Sequence, residues 1–127
     1  MKQLLTGNAA AAWGVRLARA DYVPAFPITP QTEIIELLAR WFNSGEMRGR
    51  LVMLESEHSM RTAAAAAAAT GVRVFTATSS QGLLYAMEML YTVAGWREAH
   101  RFFSALRATL RPAGTPTWHR NRCCCNV

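Results

Sequence analysis

An α/β fold, with a short parallel sheet flanked by helices, is predicted by two features of this chain. Three times a strand-like run ends in a polar turn and a helix begins: at Ile28-Thr29-Pro30, at Glu55-Ser56-Glu57, and at Thr78-Ser79-Ser80-Gln81-Gly82. Successive strand–helix units connect by right-handed crossovers, so the strands run parallel and all three turns fall along one sheet edge. That edge, at the carboxyl ends of the strands, is where open α/β sheets bind ligands. The second feature is size. The 127 residues suffice for one domain with a core of a few strands and helices.

Taken in order, Thr6 to Ala20 reads as a first helix. Gly7, Ala10, Ala11 and Gly14 make one face thin enough for close packing, and Trp13 and Leu17 form an apolar ridge four residues apart. Asp21 to Ile28 is extended, although Pro24 and Pro27 weaken it as a strand. Thr29 suits a helix cap and Pro30 the first helical position. Ile34, Leu37, Leu38 and Trp41 follow at helical spacing until Asn43-Ser44-Gly45 ends the helix. Leu51-Val52-Met53-Leu54 is a continuous apolar run, as expected of a central strand covered on both faces. From Met60 the chain is almost pure alanine until Thr70-Gly71. Alanine is the best helix former and glycine the usual stop. Val72 to Ala77 is a third strand, rich in β-branched residues. Leu83 to Gly95 is a helix with Leu83, Met87, Leu90 and Ala94 on one side.

For the turn at Glu55-Ser56-Glu57 the simplest reading is capping. Ser56 can cap the alanine helix, and Glu57 in its first turn favours the helix dipole. Three polar turns on one edge point beyond capping to a site.

Charge and cysteine are unevenly spread. Residues 1–96 hold eight basic and seven acidic side chains, whereas residues 97–127 hold six arginines and one glutamate. All three cysteines are adjacent, Cys123-Cys124-Cys125, a spacing unlike that of ordinary zinc ligands. The body therefore has neither a thiolate metal site nor a disulfide framework. The arginines of the tail lack an aromatic-interleaved pattern, so a nucleic-acid partner is not expected. No apolar run reaches membrane-spanning length, and Thr6-Gly7-Asn8 interrupts the apolar start before it can serve as a signal peptide. No membrane association is expected, and the expected compartment is the cytoplasm.

GNAAAAWG, FPITPQTEIIE, MLESEHS and FTATSSQGLLYAMEMLY occur in this order and spacing over about residues 3–97. Together they resemble the N-terminal domain of 2-oxoacid:ferredoxin oxidoreductase α subunits, of the pyruvate and 2-oxoisovalerate type. The resemblance implies a truncated three-layer thiamine-diphosphate-binding domain that holds the aminopyrimidine end of the cofactor. The family's pyrimidine-binding glutamate matches Glu57. There a carboxyl hydrogen bond to the ring nitrogen favours the imino tautomer, which takes the proton from the thiazolium carbon; the protein tunes electronics that belong to the cofactor. Thr29 matches the threonine near the 2-oxoacid, and Ser80, Gln81 and Gly82 match a turn that lines the same cavity.

The resemblance also implies what lies elsewhere. The chain has no Gly-Asp-Gly motif, so the magnesium ion is expected on a β subunit that shares the cofactor. Iron–sulfur clusters and the ferredoxin partner belong to other subunits as well. The implied reaction is oxidative decarboxylation of a 2-oxoacid with coenzyme A, giving an acyl thioester and reduced ferredoxin, with the isolated chain inactive. After Arg97 the pattern changes. The expected domain is therefore 1–97, followed by a non-matching basic tail, 98–127, of the kind a shifted reading frame would encode. No fourth strand and no substrate-facing arginine are read there. The alternative to an enzyme fragment is an inactive assembly module, or frameshifted remnant, that pairs with a β subunit.

Overall fold

A computed structural model describes residues 4–95 and the backbone of residues 102–107. The chain runs α1 (Gly7–Leu17), β1 (Tyr22–Ala25), α2 (Thr32–Asn43), β2 (Arg50–Met53), α3 (Glu57–Ala69), β3 (Val74–Ser79), α4 (Gln81–Tyr85), α5 (Met87–Gly95) and β4 (Phe102–Arg107). All strand pairs are parallel and the sheet order is β2-β1-β3-β4.

Side chains alternate across a strand, so the sheet has two apolar faces to cover. On one face Val23, Phe75 and Ala77 pack with Ala12 and Val15 of α1 and with Ile34 and Leu38 of α2. Leu38 is fully buried there, a contribution of about 1.5–3 kcal/mol. On the other face Val74 packs with Ala64 and Ala68 of α3, with Tyr22 and Val72 at the margin. The alanines let α3 lie close against β1 and β3. The result is a three-layer α/β/α domain.

Local chemistry fixes the helix ends. Thr6 Oγ1 accepts from the Ala9 N–H at 3.2 Å to open α1. Ser56 Oγ accepts from the Ser59 N–H at 3.1 Å to open α3. Gly71 follows α3 with φ of +94°, as its stop requires. At the base of the sheet Arg16 lies over the rings of Trp13 and Trp41 at 5.0 and 5.1 Å and pairs with Glu46 at 2.7 Å, tying α1 to α2 and the loop beyond it.

Five expectations are corrected. The Leu51–Leu54 run is an edge strand rather than a central one, and Met53 is 51% exposed. The fully buried strand is β3, whose β-branched and aromatic residues sit between β1 and β4. The second helix opens at Thr32 with Gln31 as its cap, so Thr29 and the cis-linked Pro30 form a turn before it. The last helix is broken at Ala86 into α4 and α5. Finally, the chain beyond Arg97 does contain a fourth strand, paired with β3 from Val74↔Phe102 to Ser79↔Arg107. Its run Phe102-Phe103-Ser104-Ala105-Leu106 reads equally well as helix, and the pairing with β3 decides the matter. In α1, Leu17 is 76% exposed and leaves the ridge to Trp13.

Candidate functional site

The sequence places three polar turns after three strands, and the structure brings them into contact. Ser79, the last residue of β3, donates from Oγ to the Thr29 carbonyl at 3.2 Å. Asn8 of α1 donates from Nδ2 to the Pro30 carbonyl and to Glu33 Oε2, each at 2.9 Å. The Thr29-Pro30 turn is thus held from the sheet on one side and from α1 on the other.

Glu57 is half-buried at the first position of α3 and lies against Gly82 of α4. A Cβ added to Gly82 would sit 2.9 Å from Glu57 Oε1 and 3.1 Å from its Cγ, and would overlap Thr78 Oγ1. Only glycine lets the α4 backbone approach the carboxyl group and the hydroxyl so closely. Between them stands Ser80, at φ +47° and ψ −121°. A non-glycine residue in such a conformation stores about 1–3 kcal/mol of strain, typical of functional turns. It turns the chain sharply from β3 into α4. Gln81 is exposed.

Four of the five candidate residues, Glu57, Thr29, Ser80 and Gly82, therefore stand on one connected set of turns, with Gln81 at its rim. Neighbouring groups complete the edge. Ser59 donates from Oγ to Glu55 Oε1 at 2.9 Å. A hydrogen bond from its own backbone amide and this one from Ser59 hold the Glu55 carboxyl below the usual carboxylate range. The His58 ring meets Tyr85 edge-on at 6.3 Å between centroids. One turn beyond Glu57 in α3, Arg61 is buried, and desolvation lowers its pKa from the ordinary arginine value.

Sequence reasoning missed two groups. Thr78 is fully buried on the face of β3 that meets α3, and its hydroxyl has no hydrogen-bond partner among the described residues. Gln31 is buried beside the Thr29-Pro30 turn, with its amide nitrogen likewise unpartnered among the described residues. An orphaned buried polar group costs on the order of 1–3 kcal/mol and calls for a reason. Thr78 belongs to a turn already singled out, and the alternation along β3 was the signal that could have found it.

An open parallel sheet whose polar turns converge at the strands' carboxyl ends, around a carboxyl group and a required glycine, is the form of a cofactor-binding α/β domain. The family is defined by comparison. The chain belongs to the family described as pyruvate flavodoxin/ferredoxin oxidoreductase, thiamine diphosphate-binding, whose model matches residues 13–122. Its resemblance to the N-terminal domain of 2-oxoacid:ferredoxin oxidoreductase α subunits holds, and the match continues past Arg97. The chain is 43% identical over 110 residues to pyruvate synthase subunit PorA of Methanothermobacter thermautotrophicus, covering 87% of this chain and 29% of that one. It is 50% identical over 97 residues to ketoisovalerate oxidoreductase subunit VorA of Pyrococcus abyssi, covering 76% and 25%. A similar solved structure is 2-oxoglutarate:ferredoxin oxidoreductase from Magnetococcus marinus with 2-oxoglutarate, coenzyme A and succinyl-CoA bound. There the TM-score is 0.57 and the identity 33%, over 62% of this chain and 14% of that one. The chain thus spans under a third of the length of these curated relatives. Among the described residues no helix is long and apolar enough to cross a membrane.

Proposed function

We propose that this chain supplies the pyrimidine side of a thiamine diphosphate site in a 2-oxoacid:ferredoxin oxidoreductase of the pyruvate type. The observation that supports it most is the contact of Glu57 with Gly82, at the edge where the Thr29, Glu57 and Ser80 turns converge. The residues fit that end of the cofactor. A half-buried carboxyl group at the sheet edge, with the α4 backbone brought close against it at Gly82, suits a flat, nitrogen-bearing ring.

Glu57 is proposed to hydrogen-bond the ring nitrogen through its carboxyl group. When bound, thiamine diphosphate supplies the carbanion chemistry that cleaves the bond between the carbonyl and carboxylate carbons of a 2-oxoacid. Thr29, in the turn pinned by Ser79 and Asn8, lies on the substrate side. Ser80, Gln81 and Gly82 form the wall, with the strained turn at Ser80 aiming the α4 backbone at the ring. The carbonyl carbon leaves as an acyl thioester of coenzyme A, and two electrons pass to ferredoxin. Magnesium, the diphosphate and the iron–sulfur clusters belong on partner subunits, a β subunit first among them, in the cytoplasm.

The boundary after Arg97, and the reading of 98–127 as the product of a shifted frame, are proposals too. The nucleotide sequence around codon 97 tests them. The functional reading is tested by Glu57→Ala in the full-length chain assembled with its partner subunits. Turnover at saturating thiamine diphosphate is expected to fall at least about a hundredfold, the scale of a proton-transfer role. Near-normal turnover would return Glu57 to capping alone.

A further inference from the structure

Thr78 is a polar side chain in a place where β3 has every reason to be apolar. It is fully buried, it lies on the face of β3 that carries Val74, and its hydroxyl has no partner among the described residues. Its Oγ1 and Glu57 Oε1 both border the same point, the one a Cβ on Gly82 would occupy. The two groups therefore both border one glycine, at a point that a larger residue would occupy. A valine would fill the space of Thr78 with the same branched shape and no orphaned hydroxyl. The hydroxyl is explained if it has a partner in the working state, and the Glu57 carboxyl is the polar group nearest that point.

We propose that Thr78 is a positioning residue for Glu57: its hydroxyl donates to Glu57 Oε1 when the ring is seated, leaving the other carboxyl oxygen to the ring, and Gly82 keeps that point open. This rests on the reading of Glu57 as the pyrimidine-binding carboxyl. Thr78 touches neither substrate nor cofactor in this arrangement. It selects one rotamer of Glu57 from the several an unrestrained glutamate would sample.

The test is a double-mutant cycle in the full-length, assembled enzyme, read as the Kd of magnesium–thiamine diphosphate by calorimetry and as kcat and KM for the 2-oxoacid. Thr78→Val is expected to weaken cofactor binding and lower kcat by about tenfold each, the scale of one hydrogen bond to a charged group, with KM unchanged. Thr78→Ser is expected to restore both. In a Glu57→Gln background, Thr78→Val is expected to cost little more, because the group it positions is already altered. If Thr78→Val does not assemble, Thr78→Ala takes its place in the same cycle. An undiminished effect in the Glu57→Gln background, or failure of serine to rescue, would show that Thr78 acts through packing and overturn the proposal. A Glu57→Gln enzyme with normal binding and turnover would instead overturn the functional reading itself.

Discussion

Gly82 decides how near the α4 backbone comes to Glu57 and Thr78. Gly82→Ala puts a methyl group into Glu57 Oε1, its Cγ and Thr78 Oγ1. One of them must move, at a cost of about 1–3 kcal/mol, typical of overpacking. The expected outcome in the assembled enzyme is weaker thiamine diphosphate binding by calorimetry, and an unchanged affinity would show that the gap has slack. At this scale the convergence of the candidate turns was legible. Glu57, Thr29 and the Ser80-Gln81-Gly82 turn stand out as candidates because polar residues interrupt apolar runs at strand ends. Thr78 does not, because a threonine inside a β-branched run looks like an ordinary strand former. Its meaning depends on a neighbour across the layers, Gly82, and on the absence of a hydrogen bond, which no sequence displays.

Among the elements, α3 shows how local and tertiary signals combine. Ser56 caps it, as the sequence implies, and the alanines give it both propensity and a thin face toward β1 and β3. Replacing Ser56 by alanine removes the acceptor for the Ser59 N–H. The expected loss is about 1 kcal/mol, read as a lower unfolding midpoint. A larger loss of cofactor binding than of stability would show that the cap also aims Glu57. The strands were legible as strands but not as neighbours. Leu51–Leu54 and Val72–Ala77 are both apolar, and only the order β2-β1-β3-β4 makes the first an edge and the second the centre. The fourth strand was missed for a related reason. Phe102–Leu106 shows no strict alternation, and its partner β3 lies more than twenty residues back in the chain, so pairing overrode local pattern.

Across the whole molecule, the three-layer arrangement gathers the polar turns along one edge of the sheet. The turns gathered there offer a carboxyl group, hydroxyls and backbone, all suited to a ring and none to a diphosphate with its metal ion. The isolated chain is therefore expected to bind magnesium–thiamine diphosphate with a Kd weaker than about 1 μM, or −8.2 kcal/mol. Tighter binding would mean that the cofactor is not divided between subunits as proposed. Leu84, Tyr85 and Tyr91 are exposed on α4 and α5 beside this edge. The fold class was legible at this scale because repetition of strand, turn and helix survives any error in a single boundary.

The central claim is that Glu57 meets the pyrimidine ring, and a structure of the assembled enzyme with thiamine diphosphate bound tests it most directly. The account predicts a Glu57 carboxyl oxygen within hydrogen-bond reach of the ring nitrogen, about 2.6–3.2 Å, with Gly82 packed against that carboxyl group. A ring nitrogen held by a carboxyl group from another position, with Glu57 turned back to the first turn of α3, would contradict it.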